Sequence, residues 1–197
     1  MIENFYFILD YIKLSIDGNY VFAVIIFFIF LLFYNSISIP GSPIFMASSG
    51  YFFGIYAGFF ISIVSIVFGS SIFFLISRYF LSKTFPNIYL KYSSKISKYI
   101  LNSSYEYLII FRMIPGTPLF IQNLCLSIVK INIFKFILST FIGLSPSIFI
   151  IVFVGSKLNN LSSLKNIKVA NIFSIEFLLF VSLIIFLLIV RIIYKKN

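Results

Sequence analysis

Ile39-Pro40-Gly41-Ser42-Pro43-Ile44-Phe45 returns later in the chain as Ile114-Pro115-Gly116-Thr117-Pro118-Leu119-Phe120. From Pro40 to Pro115 the offset is 75 residues, and the two replacements, Ser to Thr and Ile to Leu, keep the chemistry. A Pro-Gly-x-Pro run cannot lie inside a helix. Each proline lacks an N–H and clashes with the preceding turn, and the glycine loosens the backbone further. Both copies nevertheless sit in strongly apolar surroundings. In a membrane, broken backbone survives only where protein or a water-filled cavity covers it. Two such breaks in corresponding halves point to a site at a repeat interface, as in transporters. The alternative is a pair of Pro-rich surface turns that match by chance.

Composition favours the membrane reading. The 197 residues are 61% hydrophobic and 21% aromatic, with 10% charged and a mean hydropathy of +1.11. Soluble domains carry about 25% charged residues. There is no histidine and one cysteine, Cys125, which excludes histidine-based triads, His/Cys zinc sites and disulfides within the chain. A net charge of +10 in such a protein indicates loops against anionic lipid rather than nucleic acid.

The spacing predicts an all-α integral membrane protein. It has about four transmembrane helices, two oppositely entering re-entrant hairpins forming an inverted repeat, and interfacial amphipathic helices. Residues 1–18 form an N-terminal interfacial helix, and 19–197 form one membrane domain. Tyr20 to Ile39 is the first span. Pro40 to Gly54 is too short for a crossing and long enough for a hairpin that leaves on the side where it enters. Ile55 to Tyr79 crosses, with Gly58, Ser62, Ser65 and Gly69 lining one face for close backbone approach. Over 81–104, Lys83, Lys91, Lys95 and Lys98 alternate with apolar residues at helical spacing, which predicts a helix on the cytoplasmic surface. Tyr105 to Val129 is the second hairpin. Ile131 to Val154 is a span interrupted by Gly143 and Pro146, and Ile172 to Ile193 closes the chain. A weaker echo, Ser71-Ile72-Phe73-Phe74 against Ser147-Ile148-Phe149-Ile150, lies at nearly the same offset.

Among the side chains, the charges at membrane depth need explaining. Arg112 stands three residues before Pro115, inside Leu108-Ile109-Ile110-Phe111-Arg112-Met113-Ile114. Such an arginine costs at least about 2.5–3.5 kcal/mol to insert, so it faces a cavity or partner, or else snorkels to the headgroups. Its planar fork suits a phosphate. Arg78 ends its span, within reach of the same lipid phosphates. Glu106 neutralises Arg112, carries a proton or marks the interface. Asn123, just past the second break, is placed to bond a freed backbone carbonyl. Glu176 suits the first turn of its helix, and Cys125 reads as a packing residue.

The paired motifs carry a resemblance. Pro40-Gly41-Ser42-Pro43, Gly50-Tyr51-Phe52-Phe53-Gly54, Gly58, Gly69 and Arg78 resemble the first half of the VTT-domain family. That family is also called the SNARE-associated Golgi protein family, within the DedA superfamily. Phe111 to Pro118, with Asn123, Phe134, Gly143 and Pro146, resembles its second half, so the VTT-like core spans 39–155. The resemblance implies two oppositely entering hairpins and work on lipids. In relatives this is phospholipid scrambling or the recycling of a polyprenyl-phosphate carrier. One feature departs from it: relatives thought to use the proton gradient carry acidic residues in the first half, whereas residues 13–104 contain only Asp17, before the first span, which leaves proton-coupled and passive transport both open.

The expected function is therefore a membrane lipid transporter or scramblase that moves phospholipid or polyprenyl-phosphate between leaflets. The alternative is a non-transporting organiser that recruits anionic lipid or partner proteins. An enzyme is not expected, because too few carboxylates and no histidine leave little for acid–base work. No cofactor or metal is called for. The lipid-binding candidates are Arg78, Arg112, Glu106 and Asn123, beside the breaks at Pro40, Gly41, Pro43, Pro115, Gly116 and Pro118. The expected partners are lipids with anionic or phosphate headgroups and no nucleic acid, with a homo-oligomer left open. The expected location is the bacterial plasma membrane.

Overall fold

A computed structural model describes residues 15–16, 18–87, 89–91, 93, 105–114, 117–129 and 131–158. The interfacial helices expected over 1–18 and 81–104 lie largely outside the described residues. Pro115, Gly116 and the span expected over 172–193 lie wholly outside them. The described chain is helical, without a strand: α1 Tyr20–Ile37, α2 Ser42–Thr84, α3 Tyr105–Met113, α4 Leu119–Ile128 and α5 Ile133–Leu158. Of these, α1, α2 and α5 are long and apolar enough to cross a membrane.

The first break is built as the sequence dictates. Ser38 ends α1 in the left-handed region at φ 60°, its N–H bonded to the Asn35 carbonyl. Gly41, at φ 114°, starts α2, and Pro43 stands in the first turn, where a missing N–H costs nothing. The Tyr34 hydroxyl donates to the Pro40 carbonyl at 2.8 Å and closes the break.

Gly54 then reverses the chain inside α2. Its φ of 77° with ψ of −178° is a conformation that glycine alone adopts at little cost. The 42–53 arm folds back on the 55–84 arm. The Ser49 hydroxyl lies 2.8 Å from that of Ser62 and donates to the Gly58 carbonyl at 3.1 Å. A Cβ on Gly58 would stand 2.7 Å from the Ser49 carbonyl oxygen, and one on Gly69 equally near that of Leu32. The small-residue face thus receives the returning arm at one end and α1 at the other. The sequence reading placed Gly54 at the exit of a hairpin tipped at Pro40–Pro43. The structure turns the chain at both places, and α1 runs antiparallel to the 42–53 arm, Phe30 and Tyr34 meeting Phe45 while Tyr20 and Phe27 meet Phe53.

Helices α3 and α4 flank the second break, and α5 runs antiparallel to the long arm of α2, Phe149 meeting Phe59 and Phe136 meeting Phe74. It also crosses the 42–53 arm at backbone contact. Gly50 abuts the Val152 carbonyl, and Gly155 abuts that of Ala47. The expected interruption of this span does not occur: α5 is unbroken from Ile133 to Leu158, with Pro146 inside it. One proline removes one ladder bond, which a packed membrane helix tolerates.

Two of the three apolar clusters among the described residues flank the middle of the long arm of α2. Met46, Ile63, Ile66, Val67, Ile148 and Val152 form one. Phe74, Leu108, Leu126, Val129, Ile131 and Phe136 form the other. Along α2 they are separated by the turn carrying Gly69, Ser70 and Ser71, and that level is where both breaks arrive.

Candidate functional site

Asn123 is the centre of a buried polar belt between the two clusters. It is wholly buried on α4. Its Nδ2 donates to Ser38 Oγ at 2.9 Å and to Ser70 Oγ at 3.2 Å, while its Oδ1 accepts from Arg112 Nη1 at 2.8 Å. One amide therefore ties the first break, the long arm of α2 and the second hairpin together. Beside it, Ser42 donates to Asn35 Oδ1 at 3.1 Å across the first break.

Arg112 stands in the last turn of α3 and is 2% exposed. Gly143 of α5 makes room for it, since a Cβ there would stand 2.5 Å from the Arg112 Cβ. The guanidinium lies 4.7 Å from the centre of the Phe136 ring. Its Nη1 donates to Asn123 and, at 3.4 Å, to Gln122 Oε1. Gln122 is held in turn, donating to Thr117 Oγ1 at 2.6 Å and to the Phe111 carbonyl at 3.3 Å. Arg112 Nε and Nη2 are buried without an acceptor, as is Asn35 Nδ2. A buried donor without an acceptor carries its desolvation cost uncompensated, and a charged one carries more. The belt therefore holds a surplus of N–H donors and one buried positive charge.

Arg112 lines a cavity of about 380 Å³ bounded by both breaks. Pro40, Gly41 and Pro43 contribute from the first, Thr117 and Pro118 from the second, and Ser147 from α5. The remaining walls are largely aliphatic, including Met46, Ile66 and Leu144.

The structure therefore unites Arg112, Asn123 and the described residues of both breaks. It does not bring Arg78 to them. Arg78 donates to the carbonyls of Ser127 at 3.3 Å, Ile131 at 2.9 Å and Val129, with its guanidinium 4.1 Å from the Phe74 ring. These carbonyls end α4 and form the following reversal, where intrahelical donors run out. Glu106 is buried at the other end of α3, and it is not among the cavity walls or the Arg112 contacts. Asn123 bonds hydroxyls and a guanidinium rather than the expected backbone carbonyl. Sequence reasoning passed over Gln122, Asn35, Ser38 and Ser70. Gln122 and Asn123 are adjacent amides just past a helix break, which was the available signal.

Residues 39–157 match the family model of the VTT domain. The chain is 27% identical over 158 residues to a Transmembrane protein 41 homolog of Dictyostelium discoideum, covering 78% of this chain and 47% of that protein. It is 28% identical over 144 residues to a Transmembrane protein 41 homolog of Caenorhabditis elegans, covering 71% and 57%. The chain thus spans about half the length of the curated relatives it matches. Both relatives are eukaryotic and give the expected bacterial plasma membrane no support. No solved structure matches the chain.

Proposed function

The chain belongs to the VTT-domain family, and on that premise we propose that it moves phosphate-bearing lipid between the leaflets of a membrane, as a scramblase or transporter. The observation that carries this reading is the meeting of two broken hairpins at a cavity lined by a buried, incompletely partnered arginine.

In this reading α1 with the 42–53 arm, and α3 with α4, are re-entrant hairpins that enter from opposite faces. Their tips meet at the level of Ser70, about halfway along the long arm of α2. The broken backbone at both tips is then covered by protein and by the cavity, as a membrane requires. A lipid headgroup passing between leaflets must cross that level. The cavity offers it donors instead of hydrocarbon, with Arg112 on the phosphate and the acyl chains outside among the apolar helices. The movement makes and breaks no covalent bond, so it asks for no acid–base pair.

The test is reconstitution of purified protein into vesicles carrying a labelled phospholipid in both leaflets. Bleaching of outer-leaflet label alone is expected in protein-free vesicles, and bleaching beyond that half in vesicles that hold the protein. Identical bleaching in both would leave a binding module that recruits lipid without moving it.

A further inference from the structure

We infer that Phe136 is a positioning residue for Arg112: its ring face, with Phe74 stacked on it, holds the guanidinium in the polar belt in place of a carboxylate. The inference rests on the lipid-movement reading only for the use to which that arginine is put. It follows from what surrounds the guanidinium. Arg112 is buried, and its hydrogen-bond partners are the neutral oxygens of Asn123 and Gln122, both reached from Nη1. Its Nε and Nη2 are buried without an acceptor. An arginine so placed leaves for the headgroups unless something else stabilises its charge. The ring of Phe136, itself wholly buried, has its centre 4.7 Å from the guanidinium. An aromatic face carries negative potential, and its attraction for a cation is strongest where water is excluded.

Two positions on α5 share the work. Phe136 and Gly143 stand seven residues apart, about two turns, and so lie on one face of the helix. Gly143 admits the Arg112 Cβ and Phe136 takes the guanidinium, so the side chain lies along α5 between them. Against Phe136 stands the ring of Phe74, also wholly buried, with its centre 4.2 Å away and the planes 31° apart. Phe74 is fixed in its turn by Arg78, four residues on along α2. The Arg78 guanidinium sits 4.1 Å from the Phe74 ring and donates to the carbonyls that end α4. Arg78, Phe74, Phe136 and Arg112 thus form one contiguous stack across α2, α5 and α3. The other cation–ring contacts described, Lys83 with Tyr79, Lys135 with Tyr105 and Lys157 with Phe153, are longer, at 5.3 to 5.4 Å. A leucine at position 136 would fill the space and give Arg112 no charge complement.

The test keeps the shape of the ring and removes its negative face. In the full chain, Phe136 is replaced by mono-, di- and trifluorophenylalanine. The rate at which phenylglyoxal modifies Arg112 is read by peptide mass in non-ionic detergent, beside lipid movement in vesicles. Phe59, which packs edge-on against Phe149, takes the same series as the control. Arg112 should react slowly in the unsubstituted protein and faster with each fluorine at 136, at least about tenfold faster with three. The Phe59 series should leave the rate unchanged. If Phe136 serves only as packing for Phe74, an electron-poor ring stacks on it as well or better, and the rate stays flat across the series. A flat rate overturns the inference, whatever happens to lipid movement. Should the trifluoro protein fail to fold, the mono- and difluoro proteins decide by the order of their rates. Lipid movement that falls in step with Arg112 reactivity supports both readings. Undiminished movement while Arg112 becomes reactive upholds the positioning and contradicts the part given to Arg112 in moving lipid. Absence of movement in the unsubstituted protein contradicts the proposed function, and the Arg112 rates still decide this inference.

Discussion

Replacing Arg112 by lysine keeps the charge and removes the fork. In the structure that fork reaches Asn123 and Gln122 from one nitrogen, and its other two nitrogens are buried without an acceptor. Lysine offers a point charge with three donors and no planar pair. Arg112→Lys is expected to lower lipid movement at least about tenfold while the protein still accumulates, and Arg112→Ala should do no better. Unchanged movement in Arg112→Lys at normal abundance would refute phosphate reading by this side chain. Arg78 behaves differently. Its work is to satisfy three carbonyls at the end of α4, so Arg78→Ala should cost roughly 1.5–3 kcal/mol and appear as lost protein or a lower unfolding temperature. Arg112 was legible in the sequence because a charge in an apolar run demands a cavity or a partner. Arg78 was read as reaching lipid phosphate, since nothing near it in sequence announces carbonyls some 50 positions away. Ser38 and Ser70 were not legible for the same reason. They are neutral, common residues that acquire a role only when Asn123 joins segments 53 and 85 positions apart.

At the level of elements, both hairpins turn on local chemistry that the sequence displays. Pro40 to Pro43 and Pro115 to Pro118 mark the breaks, and their spacing marked the repeat. The second reversal at Gly54 was less visible, because a glycine in an apolar stretch reads equally as a contact residue. Only its positive φ distinguishes it. Gly54→Ala meets open space and a backbone conformation closed to alanine, so it should destabilise by about 1 kcal/mol or more. Gly155→Ala has an ordinary helical backbone and no room. Its methyl would meet the Ala47 carbonyl and force α5 away from the 42–53 arm, at a cost of roughly 1–3 kcal/mol. Both are checked by thermal unfolding in detergent, where wild-type stability in either would contradict the packing described. The hairpins also make a topological prediction. In a background lacking Cys125, cysteines at Tyr20 and Tyr56 should be labelled from one face of the membrane. Cysteines at Tyr105 and Asn132 should be labelled from the other, with Lys91 on the cytoplasmic side. Labelling of Tyr20 and Tyr56 from opposite faces would abolish the inverted repeat.

Across the described residues, two of the three apolar clusters lie on either side of a polar belt, with the cavity opening at that belt. Fold class and family were legible because composition and a duplicated motif are properties of the sequence itself. The meeting of Ser38, Ser70, Arg112 and Asn123 was not, because it depends on α5 packing against the 42–53 arm and α3 at glycine contacts. The central claim is that lipid passes through this cavity rather than along the outer surface, and it can be tested by filling it. Ser147 is exposed at the cavity wall, whereas Phe134 on the same helix is 73% exposed and outside it. In a Cys125→Ser background, Ser147→Cys and Phe134→Cys are reacted to completion with a bulky maleimide, and lipid movement is measured in reconstituted vesicles. The account predicts that the labelled Ser147→Cys protein moves lipid at the protein-free rate while labelled Phe134→Cys is unaffected. Full-rate movement with the Ser147→Cys label in place would contradict it.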